Sequence, residues 1–135
     1  MIFLDSWIWI EFFSKGERRD SAQRVIEELD SVSAIISSAV LMEVRYIIRR
    51  RYGEEKADRM ISIIEGFDNL DVVPLNSEVA VCAADIRDKY NGRDGRRFSY
   101  GDAIHLATAL LTGCEKLYSG DPDFNGIDEI NTVVI

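Results

Sequence analysis

Soft metal ligands are scarce in this chain, which has one histidine, His105, and two cysteines, Cys82 and Cys114. The cysteines lie far apart in apolar helical stretches, without CxxC spacing, so reduced buried thiols are expected and zinc chemistry is set aside. Long apolar runs are also missing. The first thirteen residues look hydrophobic, but Asp5 and Glu11 interrupt them, and neither a basic leader nor a small-residue cleavage site flanks them. Nothing approaches the roughly eighteen uninterrupted apolar residues of a membrane span, so a soluble cytoplasmic protein with no membrane partner is expected. Internal repeats and low-complexity tracts are absent, which excludes solenoids and arrays. Basic residues are in deficit too: 16 Lys and Arg face 24 Asp and Glu, for a net charge of −8, against the general basic footprint of a nucleic-acid binder.

Length and apolar content point to a single domain over residues 1–135, with 47% hydrophobic residues to fill one core. The basic residues are unevenly spread. Arg45, Arg49, Arg50 and Arg51 fall in one short stretch and Arg93, Arg96 and Arg97 in another. They read either as a solvated helix face and a polar loop, or as phosphate contacts to a nucleic acid, with Arg50, Arg93, Arg96 and Arg97 as the candidates.

Short apolar strands alternate with helical patterns. Met1 to Leu4 reads as a strand, Ser6 to Phe13 as a helix broken around Gly16, and Asp20 to Leu29 as a second helix. Ser33 to Ile36 is the next strand, followed by a helix capped by Ser37 or Ser38 and ended by Gly53. Further helices are expected over Glu54 to Gly66, Asn76 or Ser77 to Tyr90, and Ser99 to Gly113, the last with a capping-box pattern at Ser99 and Asp102. Strands are expected at Asp71 to Val73, Lys116 to Tyr118 and Thr132 to Val134. Asn91 to Phe98 is a glycine- and arginine-rich loop of a length that is usually functional or mobile. This alternation predicts an α/β fold with a parallel sheet and right-handed crossovers.

In such a sheet four acids gather at the carboxyl ends of the strands: Asp5 after the first strand, Glu43 in the first turn of a helix, Asp102 opening another, and Asp121 in the turn after a late strand. Carboxylates with little histidine or thiolate nearby favour hard divalent cations, Mg²⁺ or Mn²⁺. A cation held there activates a water for attack on a phosphodiester and offsets charge on the phosphate oxygens. Asp5 and Asp102 are the expected principal ligands, with Glu43 and Asp121 as ligands or water-orienting groups; Ser6 and Ser119 carry hydroxyls that can bond a carboxylate or a bound water. Each acid also has a structural reading: Asp5 as a helix cap, Asp102 as the capping-box partner, Asp121 as turn chemistry before Pro122, Glu43 as a solvated rim residue near Arg50. Caps and turns do not explain why all four fall at one edge of the sheet.

The chain resembles a PIN domain, and more narrowly the toxin ribonucleases of VapBC-type toxin-antitoxin modules. The resemblance rests on Ile2-Phe3-Leu4-Asp5-Ser6, on Glu43 after Ser37 to Met42, on Ser99-Tyr100-Gly101-Asp102-Ala103 running into Ala107-Thr108-Ala109, and on Ser119-Gly120-Asp121-Pro122-Asp123-Phe124. These come in the family's order over nearly the whole chain. The resemblance implies a three-layer α/β/α fold with a five-stranded parallel sheet. It also implies a site of Asp5, Glu43, Asp102 and Asp121 around Mg²⁺ or Mn²⁺, with Asp123 as a further contributor. It further implies hydrolysis of RNA, a homodimer, and a VapB-type antitoxin partner. Ser119 stands where family members often carry threonine, and the hydroxyl is kept.

His105, one turn past Asp102, falls off the apolar stripe, within reach of a substrate, although a lone histidine there reads first as a surface or packing residue. Trp7 and Trp9 read as core or dimer-face residues rather than base-stacking platforms. Tyr46, Tyr52 and Arg49 to Arg51 suggest an exposed groove for a partner segment. Two non-enzymatic alternatives remain. A receiver-type signalling module needs paired acids at the first strand and a late lysine, which this chain lacks; a PIN-like domain that only binds protein retains the carboxylates without activity.

Overall fold

One local device recurs: a short buried strand runs into a residue whose side chain caps the next helix. In the computed structural model, which describes residues 1–135, β1 (Ile2–Leu4) ends at Asp5, whose carboxylate accepts the Ser6 backbone N–H at the start of α1 (Ser6–Ser14). Lys15, in the left-handed region at φ 54°, closes α1, and α2 (Arg19–Glu27) follows. The helix expected to reach Leu29 tightens at Glu28–Asp30 into a 3₁₀ turn, held by the Tyr118 hydroxyl donating to Glu28 at 3.0 Å. The device repeats as β2 (Ala34–Ser37) enters α3 (Ser38–Tyr52), with the Ser37 hydroxyl accepting the Val40 N–H. Next come α4 (Glu54–Glu65), β3 (Leu70–Val73), α5 (Ser77–Tyr90), α6 (Tyr100–Leu111), β4 (Lys116–Ser119) and β5 (Asn131–Val134).

All five strands are parallel, in the order β3-β2-β1-β4-β5. Central strands covered on both faces must be apolar throughout, and every residue of β1 and β2 is buried, while the edge strands β3 and β5 carry exposed positions. Helix α6, paired with α5, packs against β1, β2 and β4; α1 packs on α2 and α3, and α3 on α4. The result is the expected three-layer α/β/α arrangement. The chain builds outward from β1 to β3, then returns to β4 on the other side of β1. That reversal falls between β1 and β4, and ligands of open α/β sheets bind at the carboxyl ends of the strands beside such a point.

Phe3, Leu4, Ile8, Trp9, Ile36, Ile48, Ile64, Leu106 and Leu117 are fully buried, each worth about 1.5–3 kcal/mol of apolar transfer. Trp9 packs between Phe13 and Phe67, with ring centroids at 6.2 and 5.8 Å, so it is a core residue and offers no face to a base. The loop from Asn91 to Phe98 is tied down rather than free. Asn91 accepts the Phe98 N–H, Phe98 packs on Tyr90 and Phe124, and Arg96 lies over the Tyr90 ring while donating to the carbonyls of Asp123 and Asn125. No helix is long and apolar enough to cross a membrane.

Candidate metal centre at the strand ends

Asp5 is only 3% exposed, and both its oxygens are engaged. Oδ1 accepts the Ser6 N–H at 2.7 Å and the Ser6 hydroxyl at 3.3 Å; Oδ2 accepts the Ser119 hydroxyl at 2.6 Å. Ser119, the last residue of β4, in turn accepts the Asp121 N–H at 3.0 Å. One hydroxyl therefore ties the carboxylate after β1 to the turn after β4. A threonine would make the same bonds, which explains why serine serves at this position. Asp121 accepts the Asp123 N–H at 2.9 Å and so opens the 3₁₀ turn Pro122–Phe124. Asp123 is joined to the group by that backbone bond.

Glycine lets this turn close. A Cβ on Gly120 would stand 2.1 Å from the Trp7 ring, over which the Arg18 guanidinium lies at 5.1 Å. Trp7 is thus a half-buried lid on the Ser119-Gly120-Asp121 turn, distinct from the core role of Trp9. Gly120→Ala is expected to cost about 1–3 kcal/mol through this overlap. Urea denaturation would read it as a lower midpoint at unchanged slope; an unchanged midpoint would mean the indole moves aside freely.

Asp102 completes the capping box of α6, its carboxylate accepting the Ser99 N–H while the Ser99 hydroxyl accepts the Asp102 N–H. Capping does not exhaust its electrostatics. Burial, together with the negative charges of Asp5 and Asp121, pushes Asp102 up to about 6 despite the bonds from Ser99. Burial also raises Asp5, against the opposing effects of His105 and the Ser119 hydroxyl, and Glu43 adds to the rise. The acids therefore act on one another, and no lysine or arginine is ion-paired with Asp5, Glu43, Asp102 or Asp121.

Glu43 sits in the second turn of α3 rather than the first, because the helix already begins at Ser38. Its rim position does not pair it with Arg50, which is exposed about 10 Å further along the helix axis. Instead Oε1 lies 2.5 Å from His105 Nε2, and Oε2 accepts the Ser6 hydroxyl at 3.4 Å. His105 corrects the sequence reading most. It is fully buried, 3.6 Å from Asp5 Oδ1 and 2.9 Å through Nδ1 from the Ser37 hydroxyl. A helical wheel for α6 alone places it off the apolar stripe, and only the approach of α3 shows that it faces inward.

A cluster of carboxylate oxygens with no lysine or arginine among them suits a hard divalent ion. No three of these side chains converge as a closed ligand cage. Mg²⁺ needs no such cage, since it keeps several waters and takes one or two protein carboxylates. Asp5, Asp102, Asp121 and Glu43 could supply them, with Asp123 at the edge of the group. Among the arginine candidates, Arg93 and Arg97 are exposed, whereas Arg96 is spent on backbone carbonyls.

No curated protein sequence matches the chain significantly. Among solved structures, it is similar to the Mycobacterium tuberculosis VapC20 toxin, with a TM-score of 0.80 and 22% identity over 97% of this chain and 99% of that one. VapBC2 from Rickettsia felis superposes with a TM-score of 0.77 at 18% identity, over 99% and 98% of the two chains. A toxin-antitoxin complex from Klebsiella pneumoniae gives 0.73 at 26% identity over 100% of both. The model of the PIN domain family matches residues 2–130, the span that holds every acid of the site. The chain belongs to the PIN domain family.

Proposed function

We propose that this protein is a Mg²⁺- or Mn²⁺-dependent endoribonuclease and the toxin of a VapBC-type module. The observation that carries the reading is the buried Asp5, fixed by Ser6 and Ser119 among Glu43, Asp102 and Asp121 at the sheet's reversal point with no lysine or arginine paired to the group. Asp5 and Asp102 would hold the ion, with Glu43 and Asp121 as further ligands or as groups that orient a water. The bound ion supplies a water of lowered pKa and charge compensation for the phosphate oxygens. Ser119 and Ser6 keep Asp5 in a single orientation, so its oxygens do not reorganise as substrate arrives. The receiver-type alternative gives way to the family match.

VapC20 is described as cleaving the sarcin-ricin loop, and several similar structures are toxin-antitoxin complexes. These support an RNA substrate and a cognate VapB-type antitoxin for this chain; the homodimer is carried by the family resemblance alone. The deciding experiment incubates purified protein with a pool of structured RNAs in Mn²⁺ or Mg²⁺, beside an EDTA control. Cleavage abolished by EDTA is the expected result. No cleavage and no calorimetric metal uptake would move the reading to a protein-binding PIN domain.

Arg93 and Arg97 remain the phosphate contacts of choice, and Arg96 does not join them because its guanidinium braces the turn after Asp121. Charge reversal at Arg93 and Arg97 should weaken RNA binding similarly across sequences and reduce the slope of log affinity against log salt by about one per residue. An unchanged slope in a filter-binding titration would leave that loop with a purely structural role.

A further inference from the structure

Ser37, His105 and Glu43 form a polar chain that a cluster of aspartates does not require. The imidazole is shut off from solvent and lies against Phe3, ring centroids 5.8 Å apart. A buried polar group without partners destabilises a fold, but here both ring nitrogens are engaged. The donors fix the direction of the chain. An ionised carboxylate only accepts, so the proton between His105 and Glu43 belongs to Nε2. At Nδ1 the bond to Ser37 runs from hydroxyl to ring when the imidazole is neutral and from ring to hydroxyl when it is charged, and in both states Ser37 Oγ receives the Val40 N–H at 3.3 Å. In both states Nε2 carries the proton and the chain terminates on Glu43.

Glu43 has few other restraints. Ser6 contributes a long bond at 3.4 Å, and the backbone of α6 passes close because a Cβ on Gly101 would stand 3.2 Å from Glu43 Oε1. Fixing a glutamate on a helix rim costs it rotamer freedom that its bonds must offset. The strong bond from a rigid ring supplies what the weak bond from Ser6 does not.

We propose that His105 is the positioning residue for Glu43: anchored through Ser37 to the start of α3, its Nε2–H holds the glutamate in the rotamer that presents the carboxylate beside Asp5. Its catalytic consequence rests on the metal-nuclease reading, whereas its geometry does not. His105 touches neither ion nor RNA in this role and acts through Glu43.

His105 is the only histidine in the chain, so the imidazole spectrum of ¹⁵N-labelled, metal-free protein contains one residue and needs no assignment. The expected spectrum has a slowly exchanging proton on Nε2, and Glu43→Ala shifts that resonance and speeds its exchange. A bare Nε2, or a resonance indifferent to Glu43→Ala, overturns the proposal. Function gives a second reading through His105→Phe, which keeps a buried ring but loses the donor, and His105→Gln, which keeps a donor. Loss of a partner that orients a ligand typically costs about 10- to 100-fold, expected here in kcat and Mn²⁺ affinity for His105→Phe, with partial recovery in His105→Gln. In a Glu43→Gln background the same His105→Phe change should cost less than about threefold, because the two residues act as one unit. Fully additive losses would make His105 a packing residue and overturn the proposal. Failure of the nuclease reading looks different: wild-type protein neither cuts RNA nor takes up Mn²⁺ while the Nε2 signature, which alone decides the geometry, is intact.

Discussion

Asp5→Asn is expected to lower RNA cleavage roughly 100- to 1,000-fold, the scale on which loss of one preorganised electrostatic group acts, while the melting temperature changes little. Asparagine has the shape of aspartate and keeps an acceptor for the Ser6 N–H. Its amide nitrogen faces Ser119, whose hydroxyl can turn to accept from it while still accepting from Asp121, since a hydroxyl has two lone pairs. The positions of the frame therefore survive, although the buried Ser119 O–H is left without the acceptor it has in Asp5. What disappears is a buried negative charge that burial and Glu43 already disfavour and that itself pushes Asp102 upward. Removing a charge held at a cost to the fold is a familiar exchange of function for stability. Cleavage at saturating Mn²⁺, a Mn²⁺ isotherm and a thermal melt on the same preparation separate the possibilities. Undiminished cleavage would remove the proposed centre. Lost cleavage with a much lower melting temperature would mean that the aspartate's bonds to Ser6 and Ser119, rather than its charge, carry the effect.

What was legible in the sequence is what neighbouring residues determine. Ser37 and Ser99 announce helix starts because a cap acts within three residues, and the buried runs Ile2–Leu4 and Ala34–Ser37 announce strands because a covered parallel sheet leaves no polar face. The four acids could be placed at one edge for the same reason: each follows a strand end or sits near a helix start. Contacts between distant elements were not legible. The wheel for α6 could not show that α3 brings Glu43 to His105 across 62 positions, nor could the basic loop show that Arg96 turns inward to carbonyls 27 to 30 positions on. Gly101 and Gly120 were the unread signal. Each precedes an acid of the site, and each lacks a side chain because another residue occupies that space, the Glu43 carboxylate in one case and the Trp7 ring in the other.

Asp102 gives the site a signature that needs no substrate. Its folded-state pKa of about 6 lies above the ordinary 3.8, so the metal-free folded protein holds this proton more tightly than the unfolded chain. The stabilisation is complete below about pH 4 and is lost as pH rises through about 6. At about 1.4 kcal/mol per pKa unit the full shift would be near 3 kcal/mol; with partial solvent screening, on the order of 1–2 kcal/mol is expected. Asp102→Asn keeps an acceptor for the Ser99 N–H and carries no charge, so the metal-free variant should lose less stability across this window and be the more stable protein at pH 7. Asp5 and His105, also raised, leave a residual slope of the same sign in the variant. Mg²⁺ should act the other way, because only deprotonated carboxylates bind it: wild-type protein gains more from saturating Mg²⁺ at pH 7.5 than at pH 5, and Asp102→Asn gains little at either. Thermal melts from pH 4 to 8, with and without Mg²⁺, test both arms. Parallel curves for wild type and variant in the absence of metal would show that Asp102 is solvated and that its carboxylate serves α6 as a cap alone.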